Sequence, residues 1–364
     1  MAQIKSRKHH RNAQLVALAA SFPLMTHAAA SNGVTQLPTI TVESKAENKY
    51  EADSVSSPKY TQPLVDTPQT VSVIKKELLK EQGATSLVEA LRNTPGITLQ
   101  LGENGNTSAG DAFQMRGFST QTSTYVDGIR DLGAVTRDVF NVEQIEVVKG
   151  PSGAEAGRGA ASGYINLASK LPQTENSREV FATYNTAEHA RLTADINQVI
   201  NDSVVVRLNA MGQDGGVEGR DYIENNGWAI APSIAFGLNS DTRLYLYSQH
   251  IRQRNIPDGG IPTIGMKGFY NADSALASAA KVNRENYYGH VDDHEDVDAD
   301  MYTAKIESDL AENVKLTNIT RLGKTSMNRV LTGINTGSAG LRTNGSTDPK
   351  DWEVNRSRQG VDQE

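Results

Sequence analysis

From about residue 178 the chain alternates between apolar and polar residues. Leu192, Ala194 and Ile196 are interleaved with Arg191, Thr193, Asp195 and Asn197, and Val204, Val206, Leu208 and Ala210 with Arg207, Asn209 and Met211. Leu244 and Leu246 alternate with Arg243, Tyr245 and Tyr247, and Tyr302, Ala304 and Ile306 with Thr303, Lys305 and Glu307. A period of two over about ten residues is a strand with one apolar face, long enough to cross a bilayer at a tilt. Short turns such as Asn201-Asp202 and Asn239-Ser240-Asp241 join some strands, while residues 253–297 form one long loop. Short connections at one end and long ones at the other are the pattern of an outer-membrane barrel. A soluble sandwich is the alternative, but loops of that length are uncommon in sandwiches.

The start of the chain fits an exported protein. Lys5, Arg7, Lys8 and Arg11 precede the apolar run Leu15 to Ala20 with Phe22, Leu24 and Met25, and Ala28 and Ala30 supply an A-x-A cleavage site. Residues 1–30 therefore read as a signal peptide, since the apolar run is too short to span a membrane and Pro23 interrupts it. The sequence contains no cysteine, so an exported fold of 364 residues is held by burial or by a hydrogen-bonded sheet rather than by disulfides. Mean hydropathy is −0.48 and no later stretch is apolar over 18 residues, which excludes a helical membrane protein but not a barrel. A net charge of −7 argues against nucleic acid as a partner.

Residues 31–60 are polar and predict a flexible linker. Within them Thr39, Ile40, Thr41 and Val42 form a β-prone island. It reads equally as a strand awaiting a partner and as ordinary extended linker. Residues 61–172 predict a compact α+β unit: strand Thr70 to Ile74, helix Lys75 to Gln82, and a helix opened by Ser86 and stopped by Pro95-Gly96. Short strands follow from Ile97, Phe113, Thr124 and Val142, with a glycine-rich turn from Gly150 to Gly163 and a last strand Tyr164 to Ala168.

No constellation points to catalysis. The run Gly150-Pro151-Ser152-Gly153 to Gly157-Arg158-Gly159 lacks the order of a phosphate loop. The acidic run Asp292, Asp293, Glu295, Asp296, Asp298 and Asp300 places Met301 where a calcium loop requires glycine, and reads as a solvated loop base. His290 and His294 could share a metal only on a helix. The chain reads as a non-enzyme without cofactor or metal.

Five motifs, in order, carry a resemblance. Asp66 to Ile74 (DTPQTVSVI), Leu87 to Ile97 (LVEALRNTPGI), Met115-Arg116-Gly117-Phe118, Tyr125-Val126-Asp127-Gly128 and Val142 to Pro151 (VEQIEVVKGP) together resemble the plug domain of TonB-dependent siderophore receptors. Asn104-Gly105-Asn106, Arg130-Asp131-Leu132-Gly133 and Thr136 to Asn141 are most similar to the Fiu-type catecholate subgroup. The resemblance implies an α+β plug followed by part of an antiparallel transmembrane β-barrel, with the barrel portion at 178–364, in the Gram-negative outer membrane. It implies import of a ferric siderophore, a catecholate, with TonB (and ExbB and ExbD) and outer-membrane lipid as partners. Import of another metal chelate, or a signalling or phage-docking role, is the alternative. Thr39, Ile40, Thr41 and Val42 match the TonB box, and Arg116 and Lys149 match plug cations that pair with wall carboxylates. Ligand contacts are implied at Glu103, Asn104, Gly105, Asn106, Gln121, Thr122 and Arg137, with Arg137 the cation at the loop tips; its alternative reading is an exposed arginine paired with Asp138. Arg284, Tyr287 and Tyr288 in the long loop are weaker candidates. Residues 178–364 predict seven or eight strands, and a barrel of about 22 would need roughly 350 further residues, so the chain is expected to be C-terminally truncated and not to transport alone.

Overall fold

The computed structural model describes residues 49–364 apart from 61, 103–106, 132, 134, 158–160, 269–273, 335–341, 344–345, 347–352 and 354–355. The expected signal peptide, the expected TonB box at Thr39 to Val42 and the expected ligand contacts at Glu103 to Asn106 lie outside these residues.

The first half builds two small sheets around one core. A five-stranded sheet runs in the order β1 (Thr70–Lys75), β7 (Val142–Lys149), β8 (Gly163–Ser169), β5 (Thr124–Val126) and β6 (Ile129–Arg130). A three-stranded sheet comprises β2 (Ile97–Leu99), β3 (Phe113–Met115) and β4 (Phe118–Ser119). Helices α1 (Lys76–Glu81) and α2 (Leu87–Leu91) cover them. Ser86 caps α2 by accepting from the Glu89 amide, while the Glu89 carboxylate accepts from the Thr85 amide, so two orphan donors are met reciprocally. Leu79, Leu87, Leu91, Ile97, Phe113, Met115, Ile145, Val147 and Ile165 close the core. The glycine-rich stretch contains one helical turn, α3 (Gly153–Ala156), which the sequence reading took as turn throughout.

The second half is an eight-stranded antiparallel sheet in chain order: β9 (Ser177–Tyr184), β10 (Ala190–Asn201), β11 (Val204–Asp214), β12 (Gly227–Phe236), β13 (Thr242–Asn255), β14 (His294–Ala311), β15 (Val314–Ile334) and β16 (Arg356–Gln363). Its two faces differ as the alternation requires. Leu208, Ile230, Phe236, Leu246, Tyr302 and Ile306 stand exposed on the face away from the plug, while Met211, Ala229, Ile251, Val297, Ala299 and Met327 are buried on the other. The buried set packs directly against Val135 and Phe140 of the plug.

Three expectations change. Residues 49–60 are not free linker: Val55 is buried and the segment lies along the plug, as described below. The long loop is shorter, because β13 continues to Asn255 and β14 starts at His294. Most of the acidic run is therefore strand, not loop. Asp296, Asp298 and Asp300 are set against Arg254, Arg252 and His250 of β13, with Arg254–Asp298 at 2.7 Å and Arg252–Asp300 at 2.9 Å. Glu295 points the other way, to Arg329 at 3.0 Å. Period two puts Asp296, Asp298 and Asp300 on one face and Glu295 on the other, and the cross-strand arginines beside them are why the run tolerates a strand. His290 lies before β14 and His294 begins it, so they do not share a helical face.

Candidate functional site

Two tight turns set the surface that meets the wall. Arg116-Gly117 joins β3 to β4, and Asp127-Gly128 joins β5 to β6, with positive φ at all four residues. That is the two-residue hairpin geometry that favours Asp-Gly. In the second turn Asp127 accepts from Ser169 within the plug and from Tyr247 (3.0 Å) and Arg321 (2.9 Å) of the wall. Arg321 also donates to the Val126 carbonyl at 2.9 Å. A second junction pairs Asp138 with Arg191 of β10 through two 2.7 Å contacts. Elsewhere on the wall, Arg207 of β11 pairs with Asp195 of β10 at 2.8 Å and donates to the Leu171 carbonyl, where the chain passes from plug to wall. These wall cations were not among the residues singled out from sequence, because a lone Arg in an alternating strand carries no sign of what its inward face meets.

Arg137 is not at a loop tip. It is only 8% exposed. Its guanidinium donates to Asp131 (2.7 and 2.9 Å), Asp111 (3.2 Å) and the carbonyls of Val135 and Gly133. All five of its N–H donors are thereby taken, which leaves none to meet a ligand directly. Asp138, its expected neighbour, is engaged by Arg191 instead. Burial pushes the Asp111 carboxyl up to about 6 despite the facing Arg137, and one Asp111 oxygen is buried with no partner among the described residues. The clamp ties the segment after residues 103–106 to the segment after β6. Gln121 and Thr122 are exposed on the turn between β4 and β5. Thr107, the first described residue after the 103–106 loop, donates to the Asp258 carbonyl and accepts from Arg329.

Arg116 and Lys149 lie close together, and neither forms an ion pair among the described residues. The Arg116 guanidinium approaches Gly150, and Lys149 is held below its ordinary range by burial and then by Arg116. Two adjacent cations with no anion leave an electrostatic demand that carboxylates would meet. In the long loop, Tyr287 donates to Asp293 and Tyr288 to the Asn283 carbonyl, while Arg284 is exposed.

A plug seated on one face of an antiparallel wall, with the wall's other face apolar, defines the class. Residues 63–164 match the TonB-dependent Receptor Plug Domain. The chain therefore holds a plug domain of the TonB-dependent receptor type and an eight-stranded antiparallel sheet beside it. Its similarity to the Fiu type is direct: it is 40% identical over 358 residues to the catecholate siderophore receptor Fiu of Escherichia coli K12, covering 97% of this chain and 47% of that one. The crystal structure of that ferric-catecholate import receptor in its closed form matches with a TM-score of 0.81 at 41% identity, covering 86% of this chain and 45% of that one. The siderophore receptor PiuA of Acinetobacter baumannii matches with a TM-score of 0.72 at 35% identity, over 78% of this chain and 40% of its own. The chain thus spans about half the length of the curated relatives it matches. These relatives are transport receptors rather than enzymes.

Proposed function

We propose that this chain belongs to an outer-membrane receptor that binds and imports a ferric siderophore, a catecholate, with energy delivered by TonB. The observation that carries this reading is the plug itself. It is locked to the inner face of the wall by Asp127–Arg321 and Asp138–Arg191, so that passage requires work on the plug and not merely an open pore. The outer membrane holds no nucleotide supply, so that work comes from a partner reaching the inner membrane. Thr39 to Val42 is the segment suited to add as a strand to TonB, itself driven by ExbB and ExbD.

The ligand is taken by the outward plug loops, with Glu103 to Asn106, Gln121 and Thr122 in contact and Arg137 as the positioning residue beneath them. Arg116 and Lys149 face carboxylates on wall strands beyond those described. The exposed apolar face of the wall meets outer-membrane lipid. The test is iron-limited growth on a ferric catecholate in a strain lacking its other receptors. Restoration of growth by the gene carrying this chain is expected, and equal growth without it would overturn the transport reading.

A further inference from the structure

The segment that leads from the N-terminal side into the plug is held at a site where a carboxylate has no cation. Glu146, on β7, is wholly buried. Its two oxygens accept from the Ser56 amide (2.5 Å), the Gln144 side-chain amide (2.7 Å) and the Asn166 side-chain amide (2.9 Å). No Lys or Arg pairs with it among the described residues, so neutral donors alone solvate its charge. The Asn166 amide nitrogen also donates to the Ser56 hydroxyl at 3.2 Å, and the Asn166 carbonyl oxygen accepts from the Gly128 amide at 2.9 Å. Gly128 is the second residue of the turn whose first residue, Asp127, grips Tyr247 and Arg321 of the wall. A run of hydrogen bonds therefore links the lead segment through Ser56, Glu146 and Asn166 to Gly128, which is the next residue in the chain after the plug–wall anchor Asp127.

We infer that Glu146 is a release latch that couples detachment of the lead segment to loosening of the Asp127 anchor. A buried carboxylate tolerates its charge only while its donors remain, and the loss of one costs more than an ordinary hydrogen bond. When Ser56 leaves, Glu146 and Asn166 both lose a partner at once. Water must enter to replace it, and an Asn166 freed from Ser56 no longer has its amide fixed toward Gly128. The other fastenings of the segment are of a different kind. Lys49 and Tyr50 meet Glu81 at an exposed contact, Lys59 donates to the Glu155 carbonyl, and Tyr60 meets Gln69 and Tyr164. These contacts hold the segment to the plug. This rests on the reading that tension enters from the N-terminal side, yet the latch itself is testable without TonB.

Hydrogen exchange read by mass spectrometry on the full chain decides it. Glu146→Gln keeps the volume but turns an NH₂ toward donors. It should speed exchange at least tenfold both in residues 49–60 and at Gly128, while the β7 amides of Ile145 and Val147 stay protected. In an Asn166→Ala background, Glu146→Gln should no longer change Gly128, because the relay is gone. Ser56→Ala, which keeps the backbone donor, should give the same pattern more weakly and guards against a variant that fails to fold. Faster exchange confined to residues 49–60, with Gly128 unchanged, would overturn the coupling. If the latch behaves as stated but uptake survives a broken TonB box, the import reading fails and the latch stands.

Discussion

Arg321 Nη2 lies 2.9 Å from Asp127 Oδ2, although the two residues are 194 positions apart and belong to opposite sides of the plug–wall boundary. Both are close to buried, at 10% and 11% side-chain exposure. Water therefore screens the pair little, and removing one partner leaves the other charge without compensation.

Arg321→Met should accordingly destabilise the plug–wall junction by about 3 kcal/mol, at the lower end for a broken buried pair because Ser169 and Tyr247 still donate to Asp127. Asp127→Asn alone should cost about as much. The double variant should cost clearly less than the sum, since neither charge is then stranded. Urea unfolding of the four members of the cycle measures this, and strict additivity would mean that the pair is not coupled.

The wall was legible in the sequence because period two leaves little freedom. Once Leu244 and Leu246 face one way, Tyr245 and Tyr247 must face the other, and Tyr247 does reach the plug. The plug turns were not: the stretches from Phe113 to Phe118 and from Thr124 to Gly128 read as single short strands, whereas Arg116-Gly117 and Asp127-Gly128 turn the chain through positive φ. Arg137 was misplaced because one arm of its clamp is non-local. Asp111 is 26 residues away and nothing near Arg137 in sequence announces it, whereas Asp138 is adjacent but points to a strand. Residues 49–60 were read as free on composition alone. Composition does not reveal that Glu146 and Tyr164 present partners to Ser56 and Tyr60.

The Arg137 clamp should make stability depend on pH in an unusual direction. Asp111 titrates at about 6 in the fold against an ordinary 3.8. Between those values the folded state binds more protons than the unfolded one, so its contribution falls as pH rises from about 4 to 6 and is level above. The full change is on the order of 3 kcal/mol. Asp111→Asn should abolish that part of the slope. Unfolding free energies at pH 4.5 and 7, compared between wild type and Asp111→Asn, check it. Equal slopes would mean that Asp111 titrates normally.

The outward face of the wall should show a sharp boundary. Leu246 and Ile306 lie in the apolar stretch, whereas His250 and Asp300 lie four and six residues further toward the long loop. Leu246→Arg in lipid vesicles should cost about 2–4 kcal/mol if it sits near the bilayer centre. His250→Arg should be close to neutral, because the Asp300 carboxylate stands beside it to receive the charge and lies outside the apolar stretch. Similar costs at the two positions would place the membrane elsewhere on the sheet.

The energy contact is the prediction on which the import reading depends most. A segment that adds to another protein as a strand does so through its backbone donors and acceptors, so the decisive change is one that removes a donor while leaving the plug and the ligand loops untouched. Ile40→Pro does this: proline has no amide hydrogen and fixes φ, so the added strand loses a ladder bond and its neighbours lose their register. In the complete receptor this variant should bind ferric catecholate with the wild-type dissociation constant but fail to take up iron. Ile40→Ala keeps the donor and should retain most uptake. Normal uptake with Ile40→Pro would remove Thr39 to Val42 from the TonB contact, and loss of binding together with uptake would instead place the defect in the ligand site.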